Sequence, residues 1–270
     1  FDGDGIKDIA RIVGWTPATL ELWKASTEGW FARITVLPLP TSGRPPSGDF
    51  DGNGDLDVLV FSVSSTTFTV LLGDGAGGFQ LLAPSTGALM DTAIATDLDG
   101  DGDDDVVGQK TYNPGRALMV LFSNGDGTFA APITYLVDPL GAPFAADLDE
   151  DGRRDVVVET LSSQIGVLLN DGTGTLLPMV TYAAEGSPEL MTAGDLDEDG
   201  HLDMIVAVGN TSSPLIFLGN GDGTLQPYFK PAGSAGASVH GVAVADADAD
   251  GHLDIFELAG GSSWLAVRRS

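Results

Sequence analysis

The strongest constraint on this chain is an acidic motif that recurs about every 50 residues. The copies share aspartate at positions one, three and nine, aspartate or asparagine at position five, and glycine at position six. They are DFDGNGDLDVLV from Asp49, DLDGDGDDDVVG from Asp97, DLDEDGRRDVVV from Asp147, DLDEDGHLDMIV from Asp195 and DADADGHLDIFE from Asp246. FDGDGIKDIARI, at residues 1–12, is the same motif without its first aspartate. Such a fixed period is typical of repeat architectures, in which each unit packs on its neighbours.

A second motif lies between the acidic copies and contains a glycine-rich turn. It reads LLGDGAGGF from Leu71, LFSNGDGTF from Leu121, LLNDGTGTL from Leu168 and FLGNGDGTL from Phe217. Apolar residues that end in Asn-Gly or Asp-Gly are typical of tight β-hairpins. Each period therefore predicts four short strands, two around the acidic loop and two around the glycine turn. No 3.6-residue apolar rhythm competes with this interpretation.

Four short strands per period predict an all-β fold, a β-propeller of four-stranded blades. We expect a single propeller domain over residues 1–270, with five and a half to six blades present. The repeats are placed at about 1–48, 49–96, 97–146, 147–194, 195–245 and 246–270, with the first and last incomplete.

The paired motifs resemble the FG-GAP/VCBS repeat family, to which integrin α-subunit propellers are similar. The resemblance covers nearly the whole chain. It implies a seven-bladed propeller, with calcium loops between the first and second strands of its blades. Because fewer than seven repeats are present, we expect this chain to be a fragment, an open arc with exposed strand edges that promote association.

The acidic loops have the composition of calcium sites. Calcium takes six to eight oxygen ligands, and the EF-hand loop likewise combines acidic side chains at positions one, three and five with glycine at six. The carbonyl of position seven and the aspartate at position nine would complete each shell. Acidic turns without an ion are the simpler alternative, but several unpaired carboxylates within nine residues would repel one another. Magnesium is disfavoured because it prefers fewer protein ligands.

The predicted ligands follow this numbering, one calcium ion per intact loop, with position seven acting through its carbonyl. They are Asp2, Asp4 and Asp8; Asp49, Asp51, Asn53, Asp55 and Asp57; Asp97, Asp99, Asp101, Asp103 and Asp105; Asp147, Asp149, Asp151, Arg153 and Asp155; Asp195, Asp197, Asp199, His201 and Asp203; and Asp246, Asp248, Asp250, His252 and Asp254.

Other candidate site residues are few. The imidazoles of His201 and His252 are expected to point to solvent, because position seven uses its backbone. Lys110, Tyr112 and Arg116 form a possible sugar- or acid-binding cluster between two strands, and a solvated loop is the simpler interpretation. No Ser-His-Asp arrangement is identifiable in the sequence, and the absence of cysteine excludes thiolate metal sites.

The charge balance limits the possible partners. With 39 acidic and only 12 basic residues, the net charge of −27 repels nucleic acid and anionic membranes. No apolar run reaches the length of a membrane helix, so we expect no membrane insertion.

Two function classes remain open. The first is an extracellular or cell-surface module for adhesion or carbohydrate recognition, whose partner is a carbohydrate or another protein. The alternative is the propeller part of a secreted polysaccharide lyase or hydrolase. The strong signals all belong to the scaffold, which favours a non-enzymatic module.

Overall fold

A computed structural model describes residues 6, 9–13, 18–39, 45–62, 66–87, 90–110, 115–209, 211–231, 238–259 and 264–268. These residues form 22 β-strands and no helix. No helix long and apolar enough to cross a membrane occurs in this part of the chain. The chain divides into two compact units, Phe1–Leu136 and Val137–Ser270.

The described part of the first unit contains three antiparallel sheets. The first consists of β1 (Ile9–Val13), β2 (Ala18–Ala25) and β3 (Phe31–Leu39). The second consists of β4 (Ser47–Gly48), β5 (Asp57–Phe61), β6 (Thr67–Gly73) and β7 (Phe79–Leu81), with β8 (Ser85–Thr86) also paired to β6. The third consists of β9 (Thr92–Thr96), β10 (Asp105–Lys110), β11 (Ala117–Leu121) and β12 (Ile133–Tyr135).

The second unit also contains three antiparallel sheets among its described residues. The first consists of β13 (Pro139–Ala146), β14 (Asp155–Thr160), β15 (Gln164–Leu168) and β16 (Val180–Ala183). The second consists of β17 (Pro188–Gly194), β18 (Asp203–Val208) and β19 (Leu215–Phe217). The third consists of β20 (Val239–Ala245), β21 (Asp254–Ala259) and β22 (Trp264–Arg268).

The prediction of four strands per period is confirmed in the sheets β9–β12 and β13–β16, but not in the sheet β17–β19, although both of its motifs are complete. The sheets β9–β12 and β13–β16 run in sequence order, with the acidic loop between the first two strands and the glycine turn between the last two. In the sheet β17–β19 the fourth strand is reduced to an isolated bridge between Ile216 and Phe229. The division into repeats within a single domain stays a prediction.

The second strand of each full sheet lies in the protein interior. Every residue of β14 and of β18 is buried, which explains why these strands read as continuous Val/Ile runs instead of alternating patterns. In the second unit, one core cluster joins Val157 and Val167 to Met204 and Phe217. In the first unit, Phe50, Leu59, Val106 and Leu121 belong to another cluster. Neighbouring sheets within a unit therefore share a core, and the acidic loops extend from its edge.

Candidate metal sites

Each complete acidic loop connects two adjacent antiparallel strands. In the third sheet, β9 ends at Thr96, the loop begins at Asp97, and β10 begins at Asp105, its position nine. The side chain at position two is the apolar anchor, since Phe50, Leu98 and Leu148 are at most 4% exposed. The loop is therefore held at both ends, by an apolar anchor and by a strand.

The glycine at position six allows the loop to fold back on its first residue. All five of these glycines have positive φ, between 86° and 101°, a conformation that other residues rarely adopt. In each loop the glycine amide donates a hydrogen bond to the Oδ2 atom of the aspartate at position one. The pairs are Gly54–Asp49 (2.7 Å), Gly102–Asp97 (3.2 Å), Gly152–Asp147 (3.0 Å), Gly200–Asp195 (3.1 Å) and Gly251–Asp246 (2.9 Å).

The amide at position seven closes a second turn. It donates to the Oδ1 atom of position five, for example from His201 to Asp199 at 2.9 Å and from Arg153 to Asp151 at 2.8 Å. Each of these bonds uses only one carboxylate oxygen. In three loops the Oδ1 atom of position one also accepts an amide, as from Gly100 to Asp97 at 2.6 Å.

Carboxylate oxygens come together in all five complete loops. In each loop three aspartates offer oxygen atoms that lie within 4.8 Å of one another, an arrangement that can hold a metal ion. The clusters are Asp49, Asp51 and Asp57; Asp97, Asp99 and Asp101; Asp147, Asp149 and Asp155; Asp195, Asp197 and Asp199; and Asp246, Asp248 and Asp250.

An independent observation points to a cation in two of these loops. The Oδ1 atoms of Asp147 and Asp195 are buried and accept no hydrogen bond within the described chain, although buried polar atoms are normally satisfied. Both belong to position one, and both residues are members of their clusters. A bound cation would satisfy them, so the residues fit a metal site.

The electrostatics of the loops also favour a cation. Burial raises the pKa of Asp99 and of Asp149, and the neighbouring carboxylates Asp101 and Asp151 raise them further. These groups therefore repel one another in the metal-free chain. A divalent cation would reverse this repulsion.

The aspartate at position nine has a structural function in addition to any role as a ligand. In the four loops from Asp49 to Asp195 its Oδ2 atom accepts the amide of position two, and its Oδ1 atom accepts an amide of the glycine turn. For Asp203 these donors are Leu196 (2.8 Å) and Gly219 (2.9 Å), and for Asp155 they are Leu148 (2.9 Å) and Asn170 (2.8 Å). One buried carboxylate thus joins the acidic loop to the glycine turn, which explains why the two motifs occur together.

The structure separates the predicted ligands into groups. Asp57 and Asp155 belong to the metal clusters, while Asp105, Asp203 and Asp254 do not. The side chains of Asp55, Asp103, His201 and His252, at position seven, also lie outside the clusters, and the role of position seven, including Arg153, stays a prediction. Asp2, Asp4 and Asp8 lie outside the described residues.

Burial at position nine predicts how stability depends on pH. It raises the pKa of Asp57 and Asp155 from 3.8 to about 6, and that of Asp105 to about 7. Between about pH 4 and pH 7 the folded metal-free chain therefore binds more protons than the unfolded chain. The stabilisation by these bound protons is complete below the pKa that the carboxyl groups have in the unfolded chain. It is lost as the pH rises through their raised pKa values in the folded chain.

We therefore expect the free energy of unfolding of the metal-free protein to fall as the pH is raised from about 4.5 to about 7.5, the range between the unfolded and folded pKa values. Urea unfolding in the presence of a chelator measures it. A free energy of unfolding that rises over this range would contradict the assignment of these carboxylates as buried and proton-binding.

The side chains of the two loop histidines are 35% and 47% exposed to solvent, and each also contacts a glutamate. The His201 Nδ1 atom lies 2.5 Å from Glu150 Oε1, and His252 Nδ1 contacts Glu198 Oε1. Each imidazole therefore contacts a carboxylate of the preceding loop as well as solvent. The sequence contained a signal for these contacts, because glutamate at position four is followed in the next copy by histidine at position seven.

The proposed cation cluster is only partly described. Lys110 lines a cavity of about 210 Å³ together with Ala117, Met119, Thr134 and Leu136. Arg116 does not line it, and Tyr112 lies outside the described residues. The cavity has an apolar floor, one ammonium group and one hydroxyl group.

Comparison with solved structures gives relatives of the same fold. The chain is 16% identical to a putative 6-phosphogluconolactonase from Bacteroides uniformis, with a TM-score of 0.60 over 97% of this chain and 82% of that one. It is 10% identical to BBS1N, solved in complex with ARL6DN, with a TM-score of 0.57 over 96% of this chain and 77% of that one. At these identities the likeness concerns the fold alone, a β-propeller. No curated protein matches the sequence.

A family model identifies the repeats themselves. The model of the FG-GAP-like repeat matches residues 49–107, 97–158, 147–206 and 195–257, each span running from one acidic loop into the next. These matches cover more than half of the chain and include all five complete loops. The chain therefore belongs to the family of FG-GAP-like repeat proteins.

Proposed function

We propose that this protein is a calcium-binding β-propeller module that recognises a carbohydrate or another protein outside the cell. The observation that carries the calcium assignment is the repetition of one loop geometry five times, each with three convergent aspartates. The buried, unsatisfied oxygen atoms of Asp147 and Asp195 support it.

Calcium suits these loops better than magnesium. Each loop offers hard oxygen atoms from the side chains at positions one, three and five and from the carbonyl at position seven, and water or position nine can add more. Calcium accepts six to eight such ligands in variable geometry, whereas magnesium requires a near-octahedral shell and retains several waters. Bound calcium would neutralise the loop carboxylates and hold the first two strands of each blade together.

The extracellular assignment follows from the same chemistry. A chain with a net charge of −27 gains stability from divalent cations wherever these are abundant. Extracellular modules work with calcium sites of low affinity, at about 10⁻⁴ to 10⁻³ M, which cytosolic calcium would not fill.

The cavity beside Lys110 is a candidate recognition site in the first unit. An apolar floor with a few polar groups is typical of small-ligand pockets, and the ammonium group of Lys110 favours an acidic sugar. We therefore expect the fluorescently labelled protein to bind uronate-containing oligosaccharides on a glycan array.

Lys110→Ala is expected to weaken this binding about tenfold or more, as for one charged hydrogen bond. Arg154→Ala is the matched control, because it removes the same charge from an exposed position outside the cavity. Equal binding by the wild type and Lys110→Ala would indicate that the ligand binds at another surface of the protein. Release of shortened oligosaccharides from the array would favour a polysaccharide-degrading enzyme over a binding module.

A further inference from the structure

Three of the acidic loops have a strained residue at position four, which is Glu150, Glu198 or Ala249. Glu150 and Glu198 have φ values of 61° and 62°, while Gly52 and Gly100 occupy the same position in the two preceding loops. Glycine adopts this conformation without penalty, whereas glutamate rarely does. At Glu150 and Glu198 the side chain at this position also makes a contact with a histidine.

The contact in question joins consecutive loops. Glu150, in the loop that begins at Asp147, reaches His201 at position seven of the loop that begins at Asp195. Glu198, in that second loop, reaches His252 at position seven of the loop that begins at Asp246. We call these two pairs the inter-loop latches.

The backbone provides a further connection between the same two blades. The Gly223 amide, in the glycine turn of the following blade, donates to Leu148 O at position two of the Asp147 loop, at 3.0 Å. That glycine turn is in turn fixed to its own acidic loop by the bond from Gly219 to Asp203 Oδ1, at 2.9 Å. The Asp147 loop thus contacts the next blade through both side chain and backbone.

We infer that the inter-loop latches couple calcium binding in consecutive loops, an inference that rests on the proposed calcium function. An ion in the Asp147 loop fixes the backbone that carries Glu150. Glu150 then holds His201, whose carbonyl is a calcium ligand of the next loop and whose amide bonds to Asp199. Filling one loop therefore preorganises the next, which is positive cooperativity.

The test compares Glu150→Gly with Ala249→Gly in the full chain by calorimetric calcium titration. Both changes relieve the same backbone strain, because Ala249 also occupies position four with a φ of 61°. Only Glu150→Gly removes a latch. Exposed ion pairs contribute modestly to stability, so we expect Glu150→Gly to bind the ion that is most affected about two- to fivefold less tightly. We expect Ala249→Gly to bind calcium at least as tightly as the wild type does.

The reciprocal change provides an independent check. His201→Ala should reproduce the loss, and the double variant Glu150→Gly/His201→Ala should be no weaker than either single variant. Calcium binding by Glu150→Gly that equals that of Ala249→Gly would overturn the coupling and leave the calcium function intact. Absence of calcium binding by the wild-type chain would overturn both.

Discussion

Removal of calcium is expected to lower the melting temperature of this protein by at least about 10–20 °C. A loop held at a hundred times its dissociation constant contributes about 2.7 kcal/mol to folding. In a chain of this size each kcal/mol corresponds to roughly 2–4 °C. Loss of calcium from only two loops therefore gives a shift of about this size, and the restored repulsion among the loop aspartates acts in the same direction.

Thermal unfolding followed by circular dichroism, in calcium and in EGTA, measures the shift. Replacement of calcium by magnesium at the same concentration is the control, and we expect it to recover only a small part of the loss. A melting temperature that does not change in EGTA would exclude a structural role for the ions.

The second large effect is expected at position nine. Asp203 is fully buried, and both of its oxygens accept backbone amides. Asn at this position would turn an NH₂ group toward one of the amides, leaving that donor buried without an acceptor. We expect Asp203→Asn to lower the free energy of unfolding by about 1.5–3 kcal/mol, as for a lost hydrogen bond to a charged group, with calcium or without it.

Asp197→Asn is the matched comparison in the same loop. Asp197 is exposed and lies in the metal cluster, so its loss should destabilise the protein in calcium and have little effect in EGTA. Denaturant unfolding of both variants under both conditions separates the two roles. An effect of Asp203→Asn that disappears in EGTA would show that position nine acts only as a metal ligand.

The strand pattern of the fold could be predicted because it depends on local sequence. Turn residues and short apolar runs locate β9 to β12 and β13 to β16, including the loops between them. In the first repeat the turn segment WKASTEGWF lacks the glycine motif, yet Trp23 and Arg33 still pair in an ordinary hairpin between β2 and β3. Tertiary packing therefore forms a hairpin where the local signal is weak.

Contacts between loops could not be derived from one repeat at a time. The spacing of the aspartates predicts which carboxylates converge, because they belong to one turn. The contact of Glu150 with His201 depends on how two consecutive blades pack, and a pattern within nine residues contains no information about it. The same applies to Asp104, whose Oδ2 atom accepts the amide of Asp49 from the preceding loop at 3.0 Å.

The spacing of the aspartates in the sequence does not reveal the full function of position nine. Aspartate at the start of a strand is compatible with a metal ligand, and the sequence predicts that role for all five copies. Only the structure shows that Asp155 and Asp203 each bridge two separate backbone segments. The need for two acceptor oxygens in a buried position explains why aspartate occurs there in the four copies from Asp57 to Asp203.

The calcium content of the protein tests the central claim most directly. The purified chain is dialysed to equilibrium against about 10 mM calcium, well above the affinity range of extracellular sites, and the calcium in excess of the buffer is measured by atomic emission. We expect about five calcium ions per chain, one for each of the five aspartate clusters, and one fewer in Asp197→Asn. Retention of less than one calcium ion per chain, or an unchanged ion count in Asp197→Asn, would contradict the assignment of these loops as calcium sites.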